Sequence, residues 1–328
     1  MKEILEYLFE GNTLSRGQAK ESLLSVGKGM HTDIEFASFL TVFKMRPITS
    51  EEIGGFRDAM DELSLKIDLL EYNAIDVVGT GGDGKNTFNI STLACFVLAG
   101  AGVNVAKHGN YAVSSISGSS NLLELLGYKF SNDPCKLKND LDKGNFCFMH
   151  APLFHPAMKH ITPVRQALKV QTFFNILGPM INPASPRHQV LGVNNSENFN
   201  HYKSVYKTLN VNYAILNSTD GYDEVSLTAD TLIASGKKEI LLSPDHFGMG
   251  RINPKAIFGG NSINEAAAIF MRILHGKGSV EQNNVVTANA AVGLNLLHPE
   301  KNLEECVDIA LESLKSGRAL AKLKLIIA

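Results

Sequence analysis

Long runs of one kind are missing from this sequence. No block of Lys or Arg occurs among its 328 residues, and the formal net charge is −2. That argues against a protein whose main task is gripping nucleic acid, which needs a basic footprint. A phosphorylated small molecule needs only local positive potential and stays allowed. No apolar run approaches the ~20 residues that a membrane span requires, so no membrane partner is expected. The start, Met1-Lys2-Glu3, carries acids early and has no long apolar stretch after it, so no signal peptide is expected. The four cysteines, Cys95, Cys135, Cys147 and Cys306, show no CxxC pair and no metal-ligand spacing. Cys95 and Cys306 sit inside apolar helical patterns and read as core thiols. The expectation is a reduced, soluble, cytoplasmic protein. Fixed-period repeats and low-complexity segments are absent as well.

What is present is ordinary globular material. Hydrophobic residues make up 44% and charged residues 20%, and the length allows a large core and two domains. Residues 1 to about 70 read as helices only. Leu5, Leu8 and Phe9 form one stripe, and Ile34, Phe36, Phe39, Leu40 and Phe43 form another. Thr49-Ser50-Glu51-Glu52 reads as a capping box opening a helix to Leu63. Such a unit hides its apolar face against the next domain or against a second copy of the chain. From residue 74 strands alternate with helices, the α/β signature. Strands are expected at Ile75–Val78, Val103–Ala106, Phe146–Met149, Gln189–Val193, Tyr213–Leu216 and Ile240–Leu242. Helices are expected at Ser91–Gly102, Ser119–Leu126, Glu197–Leu209, Ile263–Gly276, Val280–Leu297 and Leu303–Leu323. The stretch from Ile161 to Pro186 returns to helical and proline-rich character, as though it joined the helical domain in space. The domain expectation is therefore a helical unit over 1–72, joined by part of 161–186, and an α/β unit over 73–328.

Three clusters carry chemistry. The first follows the apolar run Ile75-Asp76-Val77-Val78: the glycine turn Gly79-Thr80-Gly81-Gly82-Asp83-Gly84, then Asn89-Ile90-Ser91-Thr92 at a helix start. Glycines let the backbone approach a ligand and offer amides to an anion, and a helix start adds more. The pattern is neither a Walker loop nor a dinucleotide fingerprint. A second loop, Lys107-His108-Gly109-Asn110 to Ser114-Ser115 and Gly118-Ser119-Ser120, adds a cation and hydroxyls. Together they read as a polyphosphate cradle. Asp83 within it needs a ribose hydroxyl, or a positively charged attacking or leaving group. The second cluster, Asp223-Glu224, follows the strand Tyr213–Leu216 and suits Mg²⁺, which shares hard oxygen ligands with substrate phosphates. The third holds His155 to Lys159, Pro163-Val164-Arg165 and Asn175 to Pro179. Arg165 is placed either to clamp a carboxylate or to pair with an acid across the domains.

In order, the blocks Gly79–Asp83, Asn89–Thr92, Lys107–Asn110, Ser114–Ser119, His155–Lys159, Pro163–Arg165, Asn175–Pro179 and Asp223-Glu224 resemble the anthranilate phosphoribosyltransferase family. The resemblance covers nearly all of the chain from residue 50. It implies a small helical N-terminal domain and a large α/β domain with a mainly parallel sheet, of the nucleoside phosphorylase and phosphoribosyltransferase kind. It implies transfer of the phosphoribosyl group of 5-phosphoribosyl 1-diphosphate to the amine of anthranilate, a step of tryptophan biosynthesis. By position, Gly79, Gly82, Asp83, Thr87, Asn89, Ile90, Ser91 and Thr92 would hold the donor. Lys107, His108, Gly109, Asn110, Ser114, Ser115 and Ser119 would complete that site. Gly79, Asn110, Arg165 and His155 would face anthranilate, and Ser91, Asp223 and Glu224 would ligate Mg²⁺. A homodimer through the helical domain is implied too.

The sequence departs from the family at Tyr111, where Arg is usual, at Ser120-Asn121, where Ala-Asp is usual, and at Gln171, where Arg is common. The amine of anthranilate is neutral at pH 7, so no general base is assigned; His108 and His155 are each placed to relay a late proton or simply to bind or pack. Two other functions share parts of this pattern. A pyrimidine nucleoside phosphorylase would need neither Asp223-Glu224 nor Arg165, and a nucleic-acid-binding relative would need a basic surface.

Overall fold

The computed structural model describes residues 1–112 and 116–327. Four helices open the chain: α1 (Lys2–Phe9), α2 (Arg16–Gly27), α3 (Asp33–Met45) and α4 (Ser50–Glu62). The last three begin at capping boxes. Ser15, Thr32 and Thr49 accept from the N–H three residues on, and Gln18, Glu35 and Glu52 accept from the cap's own N–H. Glu52 does more than cap. Fully buried, it also accepts from Leu14 N–H (2.9 Å) and from the Arg46 guanidinium (2.5 Å), tying three helix ends together. The four helices share one core with the segment that returns later: Phe56 stacks on Phe173 at 4.2 Å, and Ile161, Val164 and Phe174 lie in the same cluster.

The rest is built on a seven-stranded sheet of order β3-β2-β1-β4-β5-β6-β7. The strands are β1 (Ile75–Gly79), β2 (Val105–Gly109), β3 (Phe146–His150), β4 (His188–Gly192), β5 (Asn212–Ser218), β6 (Thr231–Ser235) and β7 (Lys238–Leu242). The first five are parallel, and β6 and β7 run antiparallel at one edge. This is the expected two-part fold with a mainly parallel sheet. Alternate residues of β1 face opposite layers. Ile75 and Val77 enter the core formed with helix α5 (Ile90–Gly100) and the three C-terminal helices, while Val78 packs on the core that includes the N-terminal helices.

Several boundaries differ from expectation, each for a physical reason. Strand β2 begins at Val105 and runs to Gly109, so Lys107 and His108 are strand residues rather than loop. Polar residues usually mark loops, but both side chains here are buried. Strand β6 went unrecognised: it is short, and its partner in a hairpin turned by Gly236 (φ +57°) supplies its pairing. Helix Pro134–Gly144 was also missed, because its buried stripe is only Leu137, Asp140, Leu141 and Gly144. The expected helix Leu303–Leu323 is two helices, Leu303–Lys315 and Arg318–Ile327, parted at Gly317 (φ +78°).

Candidate active site

Strand β1 lies between β2 and β4, so the chain reverses its direction of travel across the sheet there. Crevices form at the C-terminal edge of such reversals. Here the crevice is a cleft of about 1280 Å³, walled by the ends of β1 and β2, by α4 through Met60, and by helix Met158–Leu168.

The glycine turn forms one wall. Gly81, Gly82 and Gly84 all take positive φ (+64°, +70° and +70°), which frees their amides from regular pairing. Gly79 and Gly192 are paired neighbours on β1 and β4. Both are glycine because Asp223 crosses over them: a Cβ on Gly79 would lie 2.3 Å from Asp223 Oδ2, and one on Gly192 1.5 Å from the Asp223 carbonyl oxygen. Asp223 Oδ2 accepts from Gly81 N–H (2.6 Å), and Glu224 Oε1 accepts from Ser91 N–H (3.0 Å). The acidic pair is thus seated against both the glycine turn and the start of α5. The Ser91 amide, expected to face a ligand directly, faces Glu224 instead. The cap of α5 is Asn89, whose side chain turns away to bond Ser117 (Nδ2 to carbonyl, 3.0 Å).

Burial, and after it the neighbouring Asp83 charge, pushes the Asp223 carboxyl above its usual range; burial and Asp223 do the same to Glu224. Neither has an Arg, Lys or His ion-pair partner among the described residues. Two adjacent carboxylates with this deficit fit a hard divalent cation. No cluster of three or more His, Cys, Asp or Glu side chains occurs among the described residues, so a metal here would draw further oxygens from substrate or water. Asp83 is half-buried, its carboxyl raised by burial, and accepts from Lys85 N–H (2.9 Å).

The end of β2 forms the opposite wall. Lys107 is buried, yet its Nζ reaches Val77 C=O (2.6 Å) and still borders the cleft. His108 Nδ1 lies 3.2 Å from Gly178 C=O, and its Nε2 lies 3.3 Å from Nε2 of His155. Burial, then mutual repulsion, pushes the His108 pKa well down, and burial brings His155 to about 4. Both imidazoles are therefore neutral near pH 7. Asn110 is exposed at the mouth, where its Oδ1 accepts from Tyr111 N–H (2.8 Å).

Arg165 comes from helix Met158–Leu168 on the far side. It has no carboxylate partner among the described residues, so the alternative of a cross-domain ion pair is not what the fold uses. Nη2 donates to Asn175 Oδ1 (3.3 Å), the guanidinium lies over Phe174 (5.1 Å), and Nε is sealed from solvent without a partner. Burial alone lowers its pKa. A guanidinium held this way is waiting for an anion.

Of the residues singled out in the sequence, Gly79, Gly82, Asp83, Thr87, Asn89 and Ser91 border this one cleft. So do Thr92 on α5, Lys107, His108 and Gly109 on β2, Asn110 and Ser119 beyond it, and His155, Arg165, Asp223 and Glu224. Ile90 does not: it is buried in the core beneath α5. Ser114 and Ser115 lie outside the described residues. Sequence reasoning missed three buried polar supports. Asn289 holds the acidic loop, accepting from Val225 N–H (3.0 Å) and donating to its C=O (2.8 Å). Asp76 and Asn182 sit behind the end of β2. A single polar residue inside an apolar run, as in Ile75-Asp76-Val77 and Ala288-Asn289-Ala290, is the signal that would have found two of them.

Residues 2–64 match the helical bundle domain of a glycosyl transferase family, and residues 71–320 match the a/b domain of that family. An anthranilate phosphoribosyltransferase of Flavobacterium psychrophilum is 52% identical over 327 residues, covering 99% of this chain and 98% of the relative. The crystal structure of the anthranilate phosphoribosyltransferase of Thermus thermophilus aligns with a TM-score of 0.91 at 34% identity, covering 98% of both chains. The Saccharomyces cerevisiae enzyme in complex with PRPP and Mg aligns at 0.91 and 29% identity, over 98% of this chain and 95% of that one. The chain belongs to the anthranilate phosphoribosyltransferase family.

Its departures from that family's pattern are accommodated by neutral groups. Asn121 Oδ1 accepts from Ala112 N–H (2.8 Å) and Gly118 N–H (3.1 Å), bracketing the second loop. Tyr111 donates its hydroxyl to Glu124 (3.3 Å) and sets its ring edge-on to His150, which in turn bonds Ser120 Oγ (2.9 Å). Gln171 reaches toward the glycine turn, its Nε2 3.7 Å from where a Cβ on Gly82 would lie.

Proposed function

We propose that the chain transfers the phosphoribosyl group of 5-phosphoribosyl 1-diphosphate to the amine of anthranilate, releasing diphosphate, in tryptophan biosynthesis. One observation carries the reading. An anion-binding glycine turn backed by a metal-type carboxylate pair, and a guanidinium with no acid beside it among the described residues, face each other across one cleft. A phosphorolytic enzyme, which also binds an anion, would need neither the carboxylate pair nor the guanidinium.

The donor's phosphates lie against the glycine turn, with Lys107, Asn89, Thr92 and Ser119 around them. Asp83 takes the ribose hydroxyls. Asp223, Glu224 and Ser91 would hold Mg²⁺, which when bound neutralises charge on the departing diphosphate. Arg165 fixes the carboxylate of anthranilate, with Asn110, His155 and Gly79 beside it. That orientation presents the amine nitrogen to C1 as the bond to diphosphate breaks on the opposite face, so the configuration at C1 inverts. The amine's proton is released after the C–N bond forms, and no residue is required to remove it first. Helices on both sides of the cleft exclude water that would otherwise hydrolyse the donor.

The working division of the chain is a helical domain over 1–72, joined in space by part of 161–186, and a catalytic α/β domain over 73–328. The shared phenylalanine core supports it. A homodimer through the helical domain is part of the same reading, supported by the exposure of Phe9, Ile34 and Met45 on α1 and α3. Among the described residues no helix is long and apolar enough to cross a membrane, and a cytoplasmic setting goes with the biosynthetic role.

Mixing the protein with 5-phosphoribosyl 1-diphosphate, anthranilate and Mg²⁺ and following anthranilate fluorescence tests the activity. Steady loss that needs all three additions is expected. No loss refutes the reading, and salt-dependent DNA binding without turnover would favour a nucleic-acid protein instead.

A further inference from the structure

The sheet is broken at one place. β1 pairs with β4 from Ile75 to Gly79, and β2 pairs with β3 from Val105 to Gly109, but β1 and β2 meet only at Ile75 and Val105. At that pair the ladder is regular, with Ile75 N–H donating to Asn104 C=O (2.9 Å). The pairs that should follow, Asp76 with Ala106 and Val77 with Lys107, do not form. Continued in register, the ladder would join Val77 N–H to Ala106 C=O and His108 N–H to Val77 C=O.

Three of those four backbone groups have side-chain partners. The Asp76 carboxylate accepts from His108 N–H (3.3 Å). Asn182 Nδ2 donates to Ala106 C=O (2.9 Å) and to Asp76 Oδ2 (2.8 Å), and its own Oδ1 accepts from Ala184 N–H (2.9 Å). Lys107 Nζ donates to Val77 C=O. Buried backbone groups need partners. These side chains supply them for Ala106 C=O, His108 N–H and Val77 C=O, so the strands stand apart with those three groups satisfied. Asp76 and Asn182 are buried, at 0% and 3% exposure, and neither borders the cleft. Burial drives the Asp76 carboxyl up to about 6, against the pull of Lys107, which shows that this wedge is costly where an apolar pair would be cheap. The gap it props open leads toward Gly79 on one strand and Gly109 on the other, where the two anion-binding loops begin.

We propose that Asp76 and Asn182 form a polar wedge that holds β1 and β2 apart and so sets the spacing of the two loops that grip the phosphoribosyl donor. They are positioning residues. The inference rests on the donor site assigned above, and it predicts a skewed effect: the donor's subsite straddles the gap, while anthranilate, though it also meets Gly79 and Asn110, is anchored by Arg165 on a separate helix.

The test compares D76V, D76N and N182A with the parent, measuring the thermal midpoint and the KM for each substrate. D76V swaps the wedge for a strand-forming side chain and lets the ladder close. D76N cannot accept from both His108 N–H and Asn182 Nδ2, and it sets an amide against that of Asn182. N182A strips only the cap on Ala106 C=O and Asp76. In folded variants the donor KM should rise at least about tenfold with D76V or D76N, and less with N182A, while the anthranilate KM stays within about threefold. A merely structural role would lower the midpoint without dividing the two KM values. A donor KM within about twofold of the parent in folded D76N and N182A overturns the proposal, as does an equal rise for both substrates. If D76V does not fold, the other two variants decide. A parent that fails to turn over sinks the functional reading rather than the wedge. The wedge is then decided by a crystal structure of D76V, or of N182A if D76V does not fold. New pairing of Val77 with Lys107 supports it, and a ladder still ending at Ile75 with unchanged strand spacing refutes it.

Discussion

Replacing Arg165 by Ala should weaken anthranilate binding severely while leaving the substrate-free protein as stable as before, or slightly more so. The reason is the state of the guanidinium. Among the described residues it lies over Phe174, bonds only Asn175 Oδ1, and keeps Nε buried without a partner. Without ligand, its burial is a cost, as its lowered pKa indicates. Removing it forfeits a cation–π contact worth about 0.5–1 kcal/mol and relieves desolvation of similar size. With ligand, truncating one member of a buried, hydrogen-bonded charge pair typically costs about 2–5 kcal/mol. At 1.4 kcal/mol per decade that is roughly 30- to 3000-fold in the anthranilate Kd. The donor site lies across the cleft, so its KM should move by less than about threefold. Thermal melts with and without anthranilate, together with KM for both substrates, read out every part. In the parent, ligand at about 100 times Kd adds about 2.7 kcal/mol, and at the same concentration that increment should fall to about 0.9 kcal/mol or less in R165A. Proportional changes in both KM values, or a substrate-free midpoint lowered by many degrees, would show that Arg165 is a structural residue.

Other consequences are as specific. D223N with E224Q removes the carboxylate pair, so turnover should collapse and its response to Mg²⁺ should flatten; a Mg²⁺ titration that matches the parent would place the metal elsewhere. G79A drives a methyl into Asp223 Oδ2, with a Cβ contact of 2.3 Å. Overpacking of that kind costs about 1–3 kcal/mol of stability, and the displaced carboxylate should cost activity beyond that loss; parent-like donor KM would count against the arrangement. Buried His155 has its pKa pushed from 6.5 down to about 4, so the unfolded chain takes up its proton more readily. Its contribution is complete above about pH 6.5 and drains as pH falls toward 4, amounting to about 3 kcal/mol. Denaturant unfolding at pH 7 and 4.5 should show this drop in the parent and a smaller one in H155Q; equal drops would remove His155 as the cause.

Much of the protein was legible along the chain. The capping box at Thr49 announces a helix because a cap and its partner are three residues apart. The glycines at 81, 82 and 84 announce a turn because only their own φ angles are at stake. The order of motifs is enough to identify the family. Where the reading slipped, a distant partner decided the outcome. Lys107 and His108 read as loop because they are polar, yet the carbonyls of Val77 and Gly178 and the carboxylate of Asp76 make their burial tolerable.

The sequence by itself determined the helix starts, the glycine turn, the acidic pair and the family. These rest on neighbours in the chain, or on residue order alone. Only the tertiary structure decided that Glu224 takes the Ser91 amide, 133 residues away, that Arg165 has no acid among the described residues, and that β1 and β2 part after a single pair. Each of these depends on what is absent from, or brought to, a buried polar group. That balance of desolvation against hydrogen bonding exists only once distant segments are packed together.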